Sequence, residues 1–288
     1  MILYKYTERD GMKKIVTGAS LLVRPFNEFN DPFESVPLMS DGIMERIVLG
    51  TLQESRSLRW LSAHPAFVGE RLSVPQLRLR LQDQKFQTMI VGKLIRRARE
   101  TKTLAEIALS FQDYISRLAG LICFTKNPSN VLMWSHYAEK HGGYVFAIDT
   151  SPWKPSDLPA TVVYQDKRVS LPSHPTNDDL RPLLMTKSCD WSYEEEYRIL
   201  CMVDAWKVVA KRNQDFLELY PHQIKWICAG VRTPKEDIEE LRRMVEHSIF
   251  PNAHVVRASL HPAEFEIELP KECIVSGYQN GGLVQSGQ

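Results

Sequence analysis

The stretch that decides the fold is Tyr144-Val145-Phe146-Ala147-Ile148, five consecutive apolar residues with aromatic and β-branched side chains. A short run of this composition predicts a β-strand. Comparable runs lie on both sides of it along the chain. These further strand candidates are residues 3–6, 21–23, 121–124, 161–164, 197–202, 224–228 and 253–256.

Helical patterns accompany these strands. Residues 10–17 form one candidate helix, which Gly18 would end. In a later helix, Thr233 is the predicted N-cap, Pro234 fits the first helical position and Glu236 completes a capping box. Strands and helices together predict an α+β fold with a mixed, mainly antiparallel sheet as its core.

A basic helical region interrupts the strand-rich sequence. Residues 43–119 carry apolar residues at helical spacing, and Pro65 and Pro75 divide them into segments. The predicted organisation is an α+β core of residues 1–42 and 120–275, an inserted helical subdomain of residues 43–119, and a flexible tail of residues 276–288.

The charge of the inserted region differs from that of the whole chain. Between Arg46 and Lys102 there are twelve Lys and Arg residues and four Asp and Glu residues, although the net charge of the chain is +1. Such an excess of basic residues is typical of a protein region that binds a polyanionic partner such as nucleic acid. Solvated faces of amphipathic helices give the same pattern and are the preferred interpretation. Nucleic-acid binding through residues 46–102 is the alternative.

The composition of the 288 residues is that of a globular protein, with 43% hydrophobic and 25% charged residues. No apolar run approaches the ~20 residues of a membrane span, and the N-terminus lacks the features of a signal peptide. The five cysteines are scattered without a CxxC pair, which argues against disulfides and a cysteine zinc site. We expect a cytoplasmic protein with no membrane partner.

The first of two carboxylate-bearing segments is Asn30-Asp31-Pro32-Phe33-Glu34. Asn and Asp hydrogen-bond to their own backbone and Pro restricts φ, so the segment is typical of a turn. The phenylalanines in and around it would anchor the loop and hold Asp31 and Glu34 in fixed directions. A purely structural turn and a binding site that includes Asn30, Asp31 and Glu34 are both open interpretations.

The second segment is residues 191–198, which contain Glu194, Glu196 and Arg198. If strand geometry begins by Glu194, these three side chains share one face of the strand. The guanidinium would then offset the repulsion between two buried carboxylates. Such a group suits general acid–base catalysis, stabilisation of a developing positive charge, or metal binding. A solvated Glu/Arg ladder on an edge strand is the structural alternative.

Other polar residues are candidates for binding or catalysis. His136 is a base, a ligand or a core histidine with satisfied nitrogens, and its spacing from His141 does not match a helical zinc site. Lys187 and Arg198 would hold a phosphate. The sequence lacks GxGxxG, P-loop and GxSxG patterns, which argues against Rossmann-type dinucleotide binding, ATPase chemistry and α/β-hydrolase chemistry.

Several segments together resemble the bacterial domain-of-unknown-function family 2971. The matching segments are residues 3–6 (LYKY), 29–34 (FNDPFE), 123–124 (CF), Asn130, 132–138 (LMWSHYA) followed by His141, Gly142 and Phe146, 162–164 (VVY), 191–198 (WSYEEEYR) preceded by Lys187, and a strand ending at Gly230. The resemblance covers residues 3–40 and 121–232. The family name implies no activity, so a function has to come from the residues themselves.

The order of the elements also resembles that of the ADP-ribosyltransferase superfamily, with an early strand, a helix, an aromatic middle segment and a late E-x-E strand. This resemblance implies an NAD-consuming enzyme, as a toxin or phage-defence effector, with a small-molecule nucleotide as its ligand. Cleaving the bond to nicotinamide passes through an oxocarbenium-like state that a carboxylate stabilises. The implied roles are the transition-state carboxylate for Glu196, acceptor activation for Glu194, ribose binding for Lys5 or Tyr6, and nicotinamide stacking for Tyr137 or Tyr144.

Two other functions stay open. A metal-dependent nuclease or phosphoesterase would hold Mg²⁺ or Mn²⁺ with Asp31, Glu34, Glu194 and Glu196, and would dock nucleic acid on the basic helices. A non-catalytic binding or regulatory module of a bacterial defence system would use the same motifs only for its fold.

Overall fold

The structure is a computed structural model that describes residues 1–38, 41–101, 106, 109, 111–113, 115–116, 119–172, 176–202 and 216–274. The strands are β1 (Ile2–Thr7), β2 (Ser20–Leu22), β3 (Arg24–Pro25), β4 (Ala119–Thr125), β5 (Tyr144–Asp149), β6 (Ala160–Thr161), β7 (Val163–Tyr164), β8 (Thr186–Lys187), β9 (Glu196–Met202), β10 (Phe216–Glu218), β11 (Ile224–Ala229), β12 (His254–Arg257), β13 (Ser259–Leu260) and β14 (Ile267–Glu268).

The α-helices whose bounds are described are α1 (Arg9–Gly18), α2 (Asp41–Thr51), α3 (Ser55–Ala63), α4 (Pro65–Val68), α5 (Val74–Arg80), α6 (Gln84–Glu100), α7 (Val131–Tyr137), α8 (Asn177–Leu184), α9 (Lys235–Glu246) and α10 (Lys271–Ile274). Short 3₁₀ helices are Phe26–Glu28, Glu139–His141, Pro155–Asp157 and Cys189–Glu194.

The chain divides into two compact units. Unit 1 comprises residues 1–28, 117–164 and 189–288, and unit 2 comprises residues 29–116 and 165–188. The predicted core included residues 29–42 and 165–188, whereas their contacts group them with the helices of unit 2. The tail predicted at residues 276–288 lies outside the described residues.

Eight of the described strands of unit 1 form one sheet in the order β12-β11-β5-β1-β4-β9-β6, with β3 also paired to β4. Neighbouring strands are antiparallel except for β11 and β12, which run parallel. The predicted α+β fold with a mixed, mainly antiparallel sheet is therefore confirmed.

Strand β5 is buried on both faces of this sheet, since each residue from Tyr144 to Ile148 is 0% exposed. Tyr144, Phe146 and Ile148 belong to one apolar cluster, which includes residues of α1 and α9. Val145 and Ala147 belong to a second cluster, which includes residues of α7. The alternation follows the two-residue period of a strand, so helices cover both faces of the sheet at its centre.

Aromatic contacts join β1 to its neighbours on the second face. Tyr4 stacks on Trp226 with ring centroids 5.4 Å apart, and Tyr6 meets Trp134 edge-on at 5.4 Å. Aromatic pairs of this geometry contribute about 0.5–1.5 kcal/mol beyond the burial of their surface. The contact of Tyr6 with Trp134 attaches α7 to the middle of the sheet.

Helix α9 begins without the predicted cap. Pro234 is the N-cap residue, and no side chain of the described residues hydrogen-bonds to the first turn. The hydroxyl of Thr233 instead donates to the carbonyl oxygen of Gly142 at 2.9 Å. The prediction of a Thr233 cap is wrong because this tertiary hydrogen bond takes the side chain away from the helix.

Unit 2 contains helices α2 to α6, which confirm the helical pattern predicted from residue 43 onward. Pro65 is the first residue of α4 and Pro75 lies in the first turn of α5, where a missing backbone N–H costs nothing. The buried cluster between these helices includes Leu58, Leu77 and Ile90. In the described part of the chain, no helix is long and apolar enough to cross a membrane.

We expect Gly143→Ala to lower the free energy of unfolding by about 1–3 kcal/mol, because backbone atoms would have to move. A Cβ at Gly143 would clash with the carbonyl oxygen of Thr7 and lie 2.8 Å from the carbonyl carbon of Ala138. Urea denaturation followed by circular dichroism measures the loss. Gly18→Ala is the control, because its Cβ would only touch the hydroxyl of Ser20 at 3.5 Å. Equal losses in the two variants would contradict this tight packing.

Candidate functional site

The segment of residues 191–198 changes conformation between its two carboxylates. Residues Cys189–Glu194 form a 3₁₀ helix, Glu195 has a φ of 44°, and β9 starts at Glu196. The strand therefore begins one residue before the predicted strand of residues 197–202 and two residues after Glu194, so the condition for Glu194, Glu196 and Arg198 to share one strand face is not met. The backbone N–H of Glu195 donates to the carbonyl of Ser192 at 3.2 Å, so this turn continues past Glu194 before extended geometry begins.

Glu196 and Arg198 form a buried, bidentate ion pair on β9. The Nε of Arg198 donates to Oε1 of Glu196 at 2.9 Å, and its Nη2 donates to Oε2 at 2.9 Å. The two residues are 6% and 1% exposed. Because both charges are removed from water, loss of either one would leave the other buried without this partner. The neighbouring Tyr197 and Ile199 lie in the apolar cluster on the opposite face.

Glu194 is held by a tyrosine of α7. The hydroxyl of Tyr137 donates to Oε1 of Glu194 at 2.6 Å, and Glu194 is 2% exposed. Asn130 positions both partners: its Oδ1 accepts from the N–H of Leu132 at the start of α7, and its Nδ2 donates to the carbonyl of Tyr193 at 3.0 Å. We call Glu194, Glu196, Arg198 and Tyr137 the carboxylate centre.

A thiol of the adjacent strand faces this centre. The register of β4 against β9 places Cys123 opposite Arg198. Burial raises the pKa of Cys123 well above its usual range, the negative charge of Glu196 raises it further, and the positive charges of Arg198 and Lys5 oppose these effects. The thiol is therefore a neutral group at physiological pH.

The two residues of β1 that were predicted to bind ribose have partners within unit 1. The Nζ of Lys5 donates to the carbonyl of Cys123 at 3.1 Å, and burial lowers the pKa of Lys5. The hydroxyl of Tyr6 donates to the carbonyl of Asn127 at 2.9 Å. Tyr144, one of two candidates for stacking on nicotinamide, is fully buried, so its ring is inaccessible to a ligand.

His136 lies in the last turn of α7 with an exposed ring. Its ring centroid is 6.2 Å from that of Tyr137. Tyr137 is half-buried and points its hydroxyl at Glu194. Of these two adjacent residues, Tyr137 is the one whose hydrogen bond belongs to the carboxylate centre.

Asp31, Glu34 and Lys187 line a cavity of about 240 Å³ within unit 2. All three are buried, with exposures of 4%, 2% and 6%, whereas Asn30, which precedes them, is exposed. The turn chemistry predicted for this segment is observed, because Oδ1 of Asp31 accepts the N–H of Phe33 at 2.9 Å. The predicted site residues thus form two groups, one in each unit.

A strained loop that sequence reasoning missed precedes β5. Glu139, Lys140 and His141 have φ values of 48°, 52° and 71°, in a region that residues other than glycine rarely adopt. Nδ1 of His141 and the hydroxyl of Tyr144 are buried without a hydrogen-bond partner. Burial raises the pKa of Tyr144 to about 12, and the charge of Asp237 contributes in the same direction. The two glycines after His141 were the only signal of this loop in the sequence.

No metal site is assembled within the described ranges. A group of three or more His, Cys, Asp or Glu side chains placed to hold a metal ion does not occur among these residues. Of the cysteines, Cys189 is exposed, Cys228 and Cys273 are buried, and Cys123 and Cys201 are partly exposed.

Comparison with known proteins identifies no relative of this chain, since no family model, curated protein or solved structure matches it. A functional assignment therefore rests on the side-chain geometry of the two groups.

We expect Arg198→Met to lower the free energy of unfolding by about 3–5 kcal/mol, because the charge of Glu196 stays buried without its guanidinium. Replacing both residues, as Glu196→Leu/Arg198→Met, should recover part of the loss because neither charge remains. Urea denaturation measures both values. Arg242→Met is the matched control, because Arg242 forms an exposed ion pair with Glu239, which is worth about 0–1 kcal/mol. A double variant as unstable as Arg198→Met would contradict the expected recovery.

We also expect Cys123 to react far more slowly with a maleimide at pH 8 than the exposed Cys189, because its raised pKa leaves little thiolate. Glu196→Gln removes a charge that raises this pKa while Arg198 still lowers it. The pKa of Cys123 should therefore fall and its labelling rate should rise. Mass spectrometry of peptides from timed reactions measures each rate.

Two internal controls separate this electrostatic effect from unfolding. Cys228 is buried, so its labelling rate should stay the same in Glu196→Gln as long as the variant stays folded. Unfolding would expose Cys228 and raise this rate. Glu195→Gln, at the neighbouring exposed carboxylate, should leave the rate at Cys123 unaltered. Equal acceleration by the two substitutions would show that Glu196 has no special influence on the thiol.

Proposed function

We propose that the chain is an enzyme that transfers a glycosyl group from NAD, with the carboxylate centre as its catalytic group. The observation that supports this is a pair of buried carboxylates with different partners: Glu196 is held by Arg198, and Glu194 is held by the hydroxyl of Tyr137. Two carboxylates in unlike environments take different roles in glycosyl transfer. The choice of NAD rests on the resemblance in element order.

Glu196 would stabilise the positive charge that develops on the ribose. The bidentate guanidinium of Arg198 contacts both oxygens of Glu196. This ion pair keeps the carboxylate oriented. In a site that excludes water, such an oriented charge acts strongly on the transition state.

Glu194 would handle the proton of the acceptor. When the glycosidic C–N bond breaks, nicotinamide leaves with the bonding electron pair, and the acceptor oxygen forms a bond to the same sugar carbon. The acceptor's proton then passes to Glu194. The short hydrogen bond from Tyr137, at 2.6 Å, orients this carboxylate for the transfer.

A second candidate is a non-catalytic binding module, and the burial of the centre favours it. Glu194, Glu196 and Arg198 are each at most 6% exposed. A substrate would have to displace the groups that cover them. In this alternative the ion pair specifies how β9 packs, and ligand binding occurs elsewhere on the chain.

Nicotinamide release from NAD by the purified full chain tests the proposal. The unmodified chain should release nicotinamide, measured by chromatography, and Glu194→Gln should lower the rate by a factor of about 10²–10⁴. Glu194→Gln is the decisive variant because an amide oxygen still accepts the hydrogen bond from Tyr137, so the fold is retained. Glu195→Gln, one residue away and exposed, should retain the full rate.

A measurement on the unmodified chain can also contradict the proposed enzymatic activity. A folded preparation that releases no nicotinamide, with a Tm that NAD does not raise, would reject the enzymatic proposal and favour the binding module. Release that is equal in Glu194→Gln and Glu195→Gln would assign the activity to other residues.

A further inference from the structure

The cavity of unit 2 has rigid walls that belong to separate segments. The turn around Asp31 forms one wall, in which the carbonyl of Glu34 accepts the side-chain amide of Gln112 at 2.5 Å. Residues 165–169 form another, held where the N–H of Gln165 donates to the carbonyl of Lys187 at 3.0 Å. Walls that are fixed by their own hydrogen bonds are typical of a preformed ligand site.

The charged residues that line the cavity fall into a buried set and an exposed set. The buried charged residues are Asp31, Glu34 and Lys187, and the exposed ones are Asp166, Lys167 and Arg168. The buried set has a formal charge of −1 and the exposed set +1. A cation is therefore favoured beside the buried set, and an anion is favoured beside the exposed set.

The lining also offers an apolar surface and an unsatisfied hydroxyl. Val36 and Leu183 are buried apolar lining residues, and the guanidinium of Arg168 lies 5.8 Å from the ring centroid of the exposed Phe33. The Oγ of Ser35, another lining residue, is buried without a hydrogen-bond partner. Buried polar groups in native proteins nearly always have a partner, so a bound molecule is a candidate for the missing one.

The size of the cavity limits the ligand. Its volume is about 240 Å³. Pockets for drug-sized ligands measure roughly 300–1,000 Å³. The cavity thus suits a molecule about as large as an amino acid and is too small for a complete dinucleotide.

We propose that this cavity binds a small zwitterion of the aliphatic amino-acid class. The ammonium group lies toward Asp31 and Glu34, the carboxylate lies toward Arg168 and Lys167, and the aliphatic side chain packs on Val36 and Leu183. This binding is independent of the glycosyl transfer proposed for unit 1 and requires no NAD.

Three compounds that share the isobutyl group of the leucine side chain test the recognition of both charges. L-Leucine should raise the Tm of the full chain by roughly 2–4 °C at a few times its Kd. Isoamylamine, which lacks the carboxylate, and isocaproate, which lacks the ammonium, should give no shift at the same concentration. Isothermal titration calorimetry without NAD gives the Kd. No binding of L-leucine, or equal binding of either half-molecule, would overturn the proposal.

Variants of the lining locate the site. Arg168→Gln should weaken L-leucine binding about tenfold or more, because a hydrogen-bonded charge is lost. Arg181→Gln, on the exposed side of α8 and outside the lining, should bind with unchanged affinity. Equal affinities of these two variants would place any binding elsewhere.

Ser35→Ala distinguishes ligand recognition from a role in folding. The Oγ of Ser35 has no protein partner, so the Tm of the ligand-free variant should be unchanged or higher. The shift produced by L-leucine should become smaller. A variant with a lower ligand-free Tm and an unaltered L-leucine shift would overturn the assignment of this hydroxyl to the ligand.

Discussion

The burial of β5 on both faces is the constraint on which the structure of unit 1 depends. No residue from Tyr144 to Ile148 reaches solvent, so the backbone of this strand can satisfy its hydrogen bonds only sideways, through β1 and β11. Both faces must then be covered, which α1 and α9 do on one side and α7 on the other. The same covering brings Tyr137, at the end of α7, to the carboxylate of Glu194.

Burial of the carboxylate centre has two opposing energetic effects. Removing Glu196 and Arg198 from water costs several kcal/mol per charge, and their mutual contact offsets this only with good geometry. The two 2.9 Å hydrogen bonds provide such geometry. The same isolation from water strengthens any electrostatic effect on a transition state. In an enzyme, the buried charges act on a transition state and this effect offsets the cost of their burial. In a binding module, the ion pair only specifies how β9 packs.

Sequence patterns predicted the elements well and the local geometry of their ends less well. The apolar run of residues 144–148 is a central strand, and the proline-divided helices are present, because both patterns reflect burial over many residues. Thr233 shows the opposite case. The position of Thr233 suited an N-cap, but its hydroxyl donates a hydrogen bond to the carbonyl oxygen of Gly142, which is distant in sequence. Glu195 shows it again, since its positive φ separates Glu194 from the strand that begins at Glu196.

The sequence by itself determined the fold class, the central strands and the two segments that carry the buried carboxylates, because periodicity and turn chemistry act over neighbouring residues. Only the tertiary structure decided the partners of these carboxylates. Glu196 pairs with Arg198 within one strand. Glu194 accepts a hydrogen bond from the hydroxyl of Tyr137, on a helix more than fifty residues away, and Asp31 lines a cavity. Burial and hydrogen bonding between distant segments determine the chemistry of a charged group, and no local pattern encodes them.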